Sequence, residues 1–288
     1  MFGLSKLLVP VDLSANSLLA AHDAAALSAR FHSQVTLLHV AEFPQLRSAA
    51  APGQTVSAPV RQEFLAAMRR DLDEFAHEEL APGEHKRILC CGHPAKVIVD
   101  RAHAENAGLI VMSTHGYGPV RRLLLGSVTA KVLHDSDRPV WTTRAQNHEE
   151  RRALRVRRVM CAVNFRPQDA KTLRWAADFA AEFGAHLSLI HAVRPAPPEM
   201  PERYAFTWHE EASWGADERM RTLAAGADVA AAILVVEGDA PSALARAARD
   251  NSADVLVIGR NEPTSMSGRL GEHTYAIVCH APCPVVCL

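Results

Sequence analysis

KLLVPVDLSANSLLAAHDAAALSARFHSQVTLLHVA, Lys6–Ala41, is the stretch that decides the fold. Leu7–Val11 is an aliphatic run of strand length that ends at Asp12. From about Ser14 to Arg30 alanine dominates, with Leu18, Ala21, Ala25 and Ala29 at helical spacing; VTLLHV (Val35–Val40) is a second strand-like run. Almost continuous aliphatic strands separated by a helix indicate a parallel sheet covered on both faces.

The alternation continues outward. A loop from Phe43 to Ala58 contains Pro44, Pro52 and Gly53, and Phe64, Met68, Leu72 and Phe75 then recur at helical spacing. His85–Cys91 is a weaker strand. His93-Pro94-Ala95 opens a helix, with Pro94 in the first turn, where a missing N–H costs little. Leu109–Met112 reads as a buried strand, Ser127–His134 as a helix and Pro139–Thr143 as the closing strand.

The second half repeats this order. VRRVMCAVN (Val156–Asn164) answers KLLVPVD, LSLIHAV (Leu187–Val193) answers VTLLHVA, and Gly238-Asp239-Ala240-Pro241 answers Gly92-His93-Pro94. DVLVIG (Asp254–Gly259) answers GLIVMS (Gly108–Ser113), and Cys283-Pro284-Val285 answers Arg138-Pro139-Val140. Asn164 stands 152 residues after Asp12 and His191 152 after His39; the offset is 146 from Gly92 to Gly238 and 145 from Pro139 to Pro284. A nearly constant offset with a few deletions marks a duplicated domain. The expected division is a domain over 1–146, a charged linker over 147–155, and a second domain over 156–288. Pro195, Pro197, Pro198 and Pro201 make Arg194–Arg203 a stiff extended loop.

The 288 residues carry 31 Lys+Arg against 32 Asp+Glu, with 48% hydrophobic and 22% charged residues, which argues against disorder, collagen-like sequence and coiled coil. Near-neutrality gives no electrostatic case for nucleic acid or an anionic membrane as partner. No apolar run approaches the ~18 residues of a membrane-spanning helix. The N-terminus has no basic region and reaches Pro10 and Asp12 too early for a signal peptide. Six cysteines in a chain this long do not form a disulfide framework, so a cytoplasmic protein with reduced thiols is expected.

Ligands of an open parallel sheet bind beyond the carboxyl ends of its strands, where strand order reverses. Asp12 follows the first strand, Ser113-Thr114-His115-Gly116 follows the fourth, and Gly126-Ser127 stands just before the next helix. A glycine before a helix lets phosphate approach the backbone, while the first free N–H groups and the helix dipole favour negative charge. The hydroxyls of Ser127 and Thr129 could add donors; Arg121 and Arg122 could screen phosphate or form a solvated face. Structural alternatives stand beside each reading. Ser127 could be only an N-cap, Gly116 and Gly118 around Tyr117 and before Pro119 only a turn, and Asp12 a helix cap or Asx-turn. His115 could contact phosphate or fill the turn.

Ser113-x-x-Gly116, nine residues, then Gly126-Ser127 resembles the G-x-x-G-x9-G-[ST] signature of the ATP-binding universal stress proteins. VPVDLS (Val9–Ser14), LLHV (Leu37–Val40), LIVMSTHG (Leu109–Gly116), LLLGSV (Leu123–Val128) and RPV (Arg138–Val140) extend the resemblance over nearly all of residues 1–143, and weaker pieces recur across 156–288. The resemblance implies two tandem Rossmann-like α/β domains, each a five-stranded parallel sheet of order 3-2-1-4-5. It further implies ATP (or AMP/ADP) as ligand, with Mg²⁺ as a companion. Family members often dimerise through the last strand, so either the tandem domains pair within one chain or the chain forms a homodimer.

Carried over by position, the resemblance implies that Asp12 holds the adenine or ribose end and the backbone around Val40 meets the adenine edge. Pro10 and Val11 would line the base pocket, together with Met112 at the end of the fourth strand. Gly116, Gly126 and Ser127 would take the phosphates, joined by His115, with Val128 and Thr129 offering main-chain or hydroxyl contacts. Ser113 stands where the signature has its first glycine; it keeps a backbone N–H and adds a hydroxyl but loses unstrained access to positive φ. In the second half Asn164 replaces Asp12, the glycine spacing is broken around Gly259-Arg260-Asn261-Glu262, and Glu272 after Gly271 replaces Ser127. A carboxylate there compensates the helix N-terminus and repels phosphate, so the second domain is expected to keep the fold without the nucleotide site.

Cys279, Cys283 and Cys287, with His280, invite a zinc reading, but Pro282 and Pro284 interrupt any helix that would gather them, and buried small hydrophobes are the expected role. Cys90 and Cys91 are adjacent on a strand and point to opposite faces. His39 and His191 sit in matched strands, where a hydrogen bond to neighbouring backbone is expected. There is no G-x-S-x-G elbow, no H-E-x-x-H and no G-K-[ST] lysine. Fast hydrolysis is not expected. The expected function is a stress or signalling module that binds adenine nucleotide and acts on a protein partner the sequence does not name; the alternatives are a nucleotide-free interaction scaffold and a slow ATPase.

Overall fold

The computed structural model, which describes residues 3–42, 57–80, 85–114, 125–143, 154–260 and 272–288, divides into two units, Gly3–Leu154 and Arg155–Leu288. In the first, β1 (Lys6–Val11), α1 (Ala15–Phe31), β2 (Gln34–Ala41), α2 (Ala58–Glu74) and β3 (Lys86–Cys91) are followed by α3 (Pro94–Ala104), β4 (Leu109–Ser113), α4 (Ser127–Asp135) and β5 (Val140–Thr143). The strands lie in the order β3-β2-β1-β4-β5 and every neighbouring pair is parallel. Strand order reverses between β1 and β4, so the crevice that can take a ligand opens at their carboxyl ends.

Local chemistry sets the start of α1. Leu13 turns the chain at φ 63°, and the hydroxyl of Ser14, the N-cap, accepts from the amide of Ser17 at 3.2 Å. The helix buries Ser17, Ala20, Ala21, Ala24 and Leu27. Of the expected stripe only Ala21 is fully buried; Leu18 and Ala25 are half-buried and Ala29 is exposed. An alanine-rich helix is apolar on several faces, so periodicity does not choose among them, and the face that is buried carries Leu19 and Leu27 among its small residues. On that face Asp23, 8% exposed, accepts from the indole Nε1–H of Trp141 at 3.1 Å and the hydroxyl of Thr143 at 2.7 Å, tying α1 to β5. The core beneath is Leu7, Leu8, Leu37, Leu38, Leu109 and Ile110, all essentially without solvent exposure. Arg87 closes the far end of α2: its guanidinium donates to the carbonyls of Leu72, Phe75 and Leu80 at 3.2, 3.0 and 2.8 Å, supplying donors that a helix C-terminus otherwise lacks.

The second unit has the same order of elements: β6 (Arg158–Ala162), α5 (Asp169–Phe183), β7 (His186–Val193), α6 (Glu202–Ala227), β8 (Ala232–Glu237), α7 (Ala240–Asp250), β9 (Val255–Ile258), α8 (Glu272–His280) and β10 (Val285–Cys287). Its strands run β8-β7-β6-β9-β10, again all parallel. Both units are therefore five-stranded α/β sheets of order 3-2-1-4-5. Backbone irregularities repeat with the sequence. Phe165 at φ 62° matches Leu13, and Gly238 at φ 136° matches Gly92 at φ 142°, each glycine just before a helix that starts with proline in its first turn. The proline-rich loop is shorter than expected, since α6 begins at Glu202. All six cysteines are free thiols, with Cys161, Cys283 and Cys287 buried. No helix among the described residues is long and apolar enough to cross a membrane.

Candidate functional site

At the carboxyl ends of β1, β2 and β4 lies a cleft of about 1070 Å³. The pairing of β1 with β2 runs to Val11↔His39, whereas the register of β1 with β4 ends at Leu8↔Ile110. Pro10, which has no N–H to give a neighbouring strand, sits just past that point. Pro10, Val11 and Asp12 form one wall of the cleft, Val40 and its neighbours the second, and Met112 and Ser113 the third; Gly126, Ser127, Val128 and Thr129 close it. The chain thus brings together all the expected site residues that are described. His115 and Gly116 lie outside the described residues, as do Tyr117, Gly118, Pro119, Arg121 and Arg122.

The start of α4 has the chemistry that helix N-termini offer to anions. Gly126 is the N-cap of α4 at φ −58°, ψ 142°, and it makes no side-chain cap hydrogen bond. The first amide bonded within the helix is that of Ala130, to the carbonyl of Gly126 at 2.9 Å. The amides of Ser127, Val128 and Thr129 therefore belong to the turn whose N–H groups have no intrahelical acceptor, and all three residues line the cleft. The amide of Gly126 donates to the carbonyl of Thr114 at 2.8 Å, which ties the start of α4 to the end of β4.

Three expected roles change in detail. Thr129 is buried and its hydroxyl donates to the carbonyl of Ser113 at 2.9 Å, so its hydroxyl proton is committed inside the fold. Asp12 does not cap α1; its Oδ1 accepts from the amide of Ser14 at 3.1 Å and from the Ser14 hydroxyl at 2.5 Å, an Asx-turn that holds the capping serine in place. Ser113 is the last residue of β4, paired with Thr143 in extended conformation, so serine costs no positive-φ strain there.

Sequence reasoning missed one wall. Phe64, Met68 and Phe75 of α2 and its C-cap line the cleft, and with them Glu42, Asp71 and Glu74. The first three were visible as a helical stripe, but a stripe does not say whether it meets a core or a cleft. Among the described residues no group of His, Cys, Asp and Glu is arranged to hold a metal.

The matched histidines act alike. His39 Nδ1 lies 2.8 Å from the carbonyl oxygen of Val11, and His191 Nδ1 lies 2.8 Å from that of Val163. Burial lowers the pKa of His191 below its ordinary value, so its imidazole is held neutral. The second unit has its own cleft of about 940 Å³ at the equivalent place, lined by Asn164, Arg166, Asp169, Val193, Arg194, Ile258 and His273 among others. Gly271 lies outside the described residues, and Glu272 opens α8 as the acidic residue of its first turn.

The model of the universal stress protein family matches the chain twice, over residues 3–144 and 155–288. A universal stress protein of Methanocaldococcus jannaschii is 31% identical over 146 residues, covering 50% of this chain and 84% of that protein. A second from the same organism is 28% identical over 160 residues, covering 49% of this chain and 96% of its own length. Among solved structures, a universal stress protein from Archaeoglobus fulgidus superposes with a TM-score of 0.70 at 19% identity, covering 99% of this chain and 96% of that one, a likeness of fold. With the family pattern present in both halves, the chain belongs to the universal stress protein family.

Proposed function

We propose that the first unit binds an adenine nucleotide, ATP or its AMP and ADP relatives, and that the protein acts as a nucleotide-responsive module of the stress response. The observation that carries this reading is the start of α4. Amides without an intrahelical acceptor and without a side-chain cap open into the same cleft as Asp12 and Val40. Phosphates would lie on the amides of Ser127, Val128 and Thr129. The base would lie between Pro10, Val11 and Met112 and the backbone at Val40, with Asp12 toward the ribose. Magnesium would arrive with the phosphates, and Asp12 would help to hold it. A ligand moves partner binding only through its different affinity for two conformations.

Gly126→Asp tests the site cleanly. The φ of −58° suits any residue, and aspartate is a favoured N-cap, so the variant should fold at least as well as wild type while its carboxylate occupies the anion seat. Calorimetry with ATP should show binding by wild type and none by the variant. Equal heats, or no heat from wild type, would remove the site.

A second reading, a scaffold acting through protein contacts, is favoured by the exposed aromatics of α6, with Phe206 68% and Trp214 72% exposed. Native mass spectrometry of freshly purified protein separates the two: a nucleotide-binding module carries adenine nucleotide, and a pure scaffold carries none.

A further inference from the structure

We infer that the cleft of the second unit is a site for a small organic monoanion, a carboxylate on an apolar or aromatic body, held at the strand ends by arginines.

The repeat turns this into a comparison of matched positions. At the offset of 152, Asp12 becomes Asn164, Ser14 becomes Arg166 and Glu42 becomes Arg194. The strand-end side of the cleft thereby loses two carboxylates and gains two guanidiniums, and Arg166 and Arg194 both line the second cleft. At the helix end the change runs the other way, with Glu272 in the first turn of α8 where α4 has Ser127. The first cleft carries Asp12 and Glu42 at its strand ends; the second carries Arg166 and Arg194 there, and its α8 side is lined by His273 and Thr274, with Glu272 beside them at the helix start and outside the lining.

Two carboxylates, Asp169 and Asp239, also line this cleft, each held by local hydrogen bonds. Asp169 is 2% exposed, and its Oδ2 accepts from the amides of Asn164 and Arg166 at 2.8 and 3.1 Å, which turns it into the loop. Asp239 sits at the start of α7 and accepts from the hydroxyl of Ser242 at 3.3 Å. A further cation stands near the cleft without lining it: the Arg219 guanidinium lies 3.8 Å from the ring centroid of Phe165, and that ring lies 4.4 Å from the ring of His191, which lines the cleft. Val163, Ala192, Ile258 and Trp208 give the same cleft apolar lining beside these charges. Guanidiniums pair with carboxylates in forked geometry, and an apolar wall beside them suits the body that carries the carboxylate. A triphosphate needs the helix end as well, where Glu272 repels it; a single carboxylate needs only the arginines.

The inference does not depend on what the first cleft holds. The probe is 2-naphthoate, with the uncharged isostere 2-naphthamide as control, titrated by calorimetry into the full-length protein with and without saturating ATP. Naphthoate should bind at least tenfold more tightly than naphthamide and ATP should leave its affinity unchanged. Arg166→Gln with Arg194→Gln should abolish the preference for the carboxylate at an unchanged circular dichroism spectrum. Both residues are exposed, so the variant is expected to fold. Absence of naphthoate binding, equal affinity for the two probes, a preference that survives in the double variant, or displacement by ATP would each overturn the inference. Failure of ATP to bind would overturn the nucleotide reading of the first cleft alone.

Discussion

Leu8 pairs with Ile110, and there the register of β1 with β4 ends, while in the second unit the matching strands stay paired through Ala162↔Ile258. Ala162 holds the place of Pro10. The two units thus differ by one backbone N–H at the crevice where a ligand of this fold sits.

Pro10→Ala supplies that N–H and should extend the β1–β4 register toward Met112. The variant is expected to be as stable as wild type or more so, and to bind ATP about tenfold more weakly, equivalent to about 1.4 kcal/mol. Calorimetry beside a thermal melt checks both parts. An affinity unchanged in a fully folded variant would show that the end of the register has no part in binding.

Asp23 holds Trp141 and Thr143 from across the sheet, so Asp23→Ala leaves a buried indole N–H and a buried hydroxyl without this acceptor. Hydrogen bonds to a charged group are worth roughly 1.5–3 kcal/mol each, and a loss of about 2–4 kcal/mol in urea unfolding is expected for the pair. A change in near-ultraviolet circular dichroism should accompany it, because Trp141 is fully buried. A loss below about 0.5 kcal/mol, the range of ordinary surface substitutions, would contradict this account.

His191 gives a pH dependence with a definite sign. Burial, the largest influence, lowers its folded pKa below the ordinary 6.5, so in the window beneath 6.5 the unfolded chain binds more protons than the folded one. Stability contributed by the neutral imidazole is full above pH 6.5 and is lost progressively as pH falls through that window. His191→Gln should flatten this part of the stability curve between about pH 5 and pH 7. Parallel curves for wild type and variant in thermal melts would exclude His191 as the source.

Thiol reactivity should sort by burial. Cys91 is exposed, whereas burial raises the thiol pKa of Cys161 and pushes that of Cys287 up to about 12. Iodoacetamide at pH 8 on native protein should label Cys91 first and leave Cys161 and Cys287 unmodified until denaturant is added, read by peptide mass spectrometry. Labelling of Cys287 at the rate of Cys91 would show that the end of β10 opens in solution.

The doubled order of strands and helices was legible before any coordinates, and so were the strand-end positions of Asp12, Val40 and Ser113. Strand length, helix punctuation by proline and glycine, and a constant offset are local properties that survive in a linear string. The matched histidines were equally readable, since a side chain in a strand next to the first strand has backbone within reach. What stayed hidden was chosen by packing. Nothing in the spacing of Leu18, Ala21, Ala25 and Ala29 could show that α1 turns a different face to the sheet. Likewise, the helical spacing of Phe64 and Met68 could not show that α2 lies beside the cleft.

By itself the amino-acid sequence determined two copies of a parallel α/β sheet and the residues that reach the carboxyl ends of its strands, because the pattern of burial is written in the chain at short range. Only the tertiary structure decided what those residues do there. It committed the hydroxyl of Thr129 to Ser113, turned Asp12 toward Ser14, ended the β1–β4 register at Leu8 and brought Arg166 and Arg194 to one cleft. Those outcomes depend on distances between groups far apart in the chain, and such distances are set when the sheet and its helices pack together.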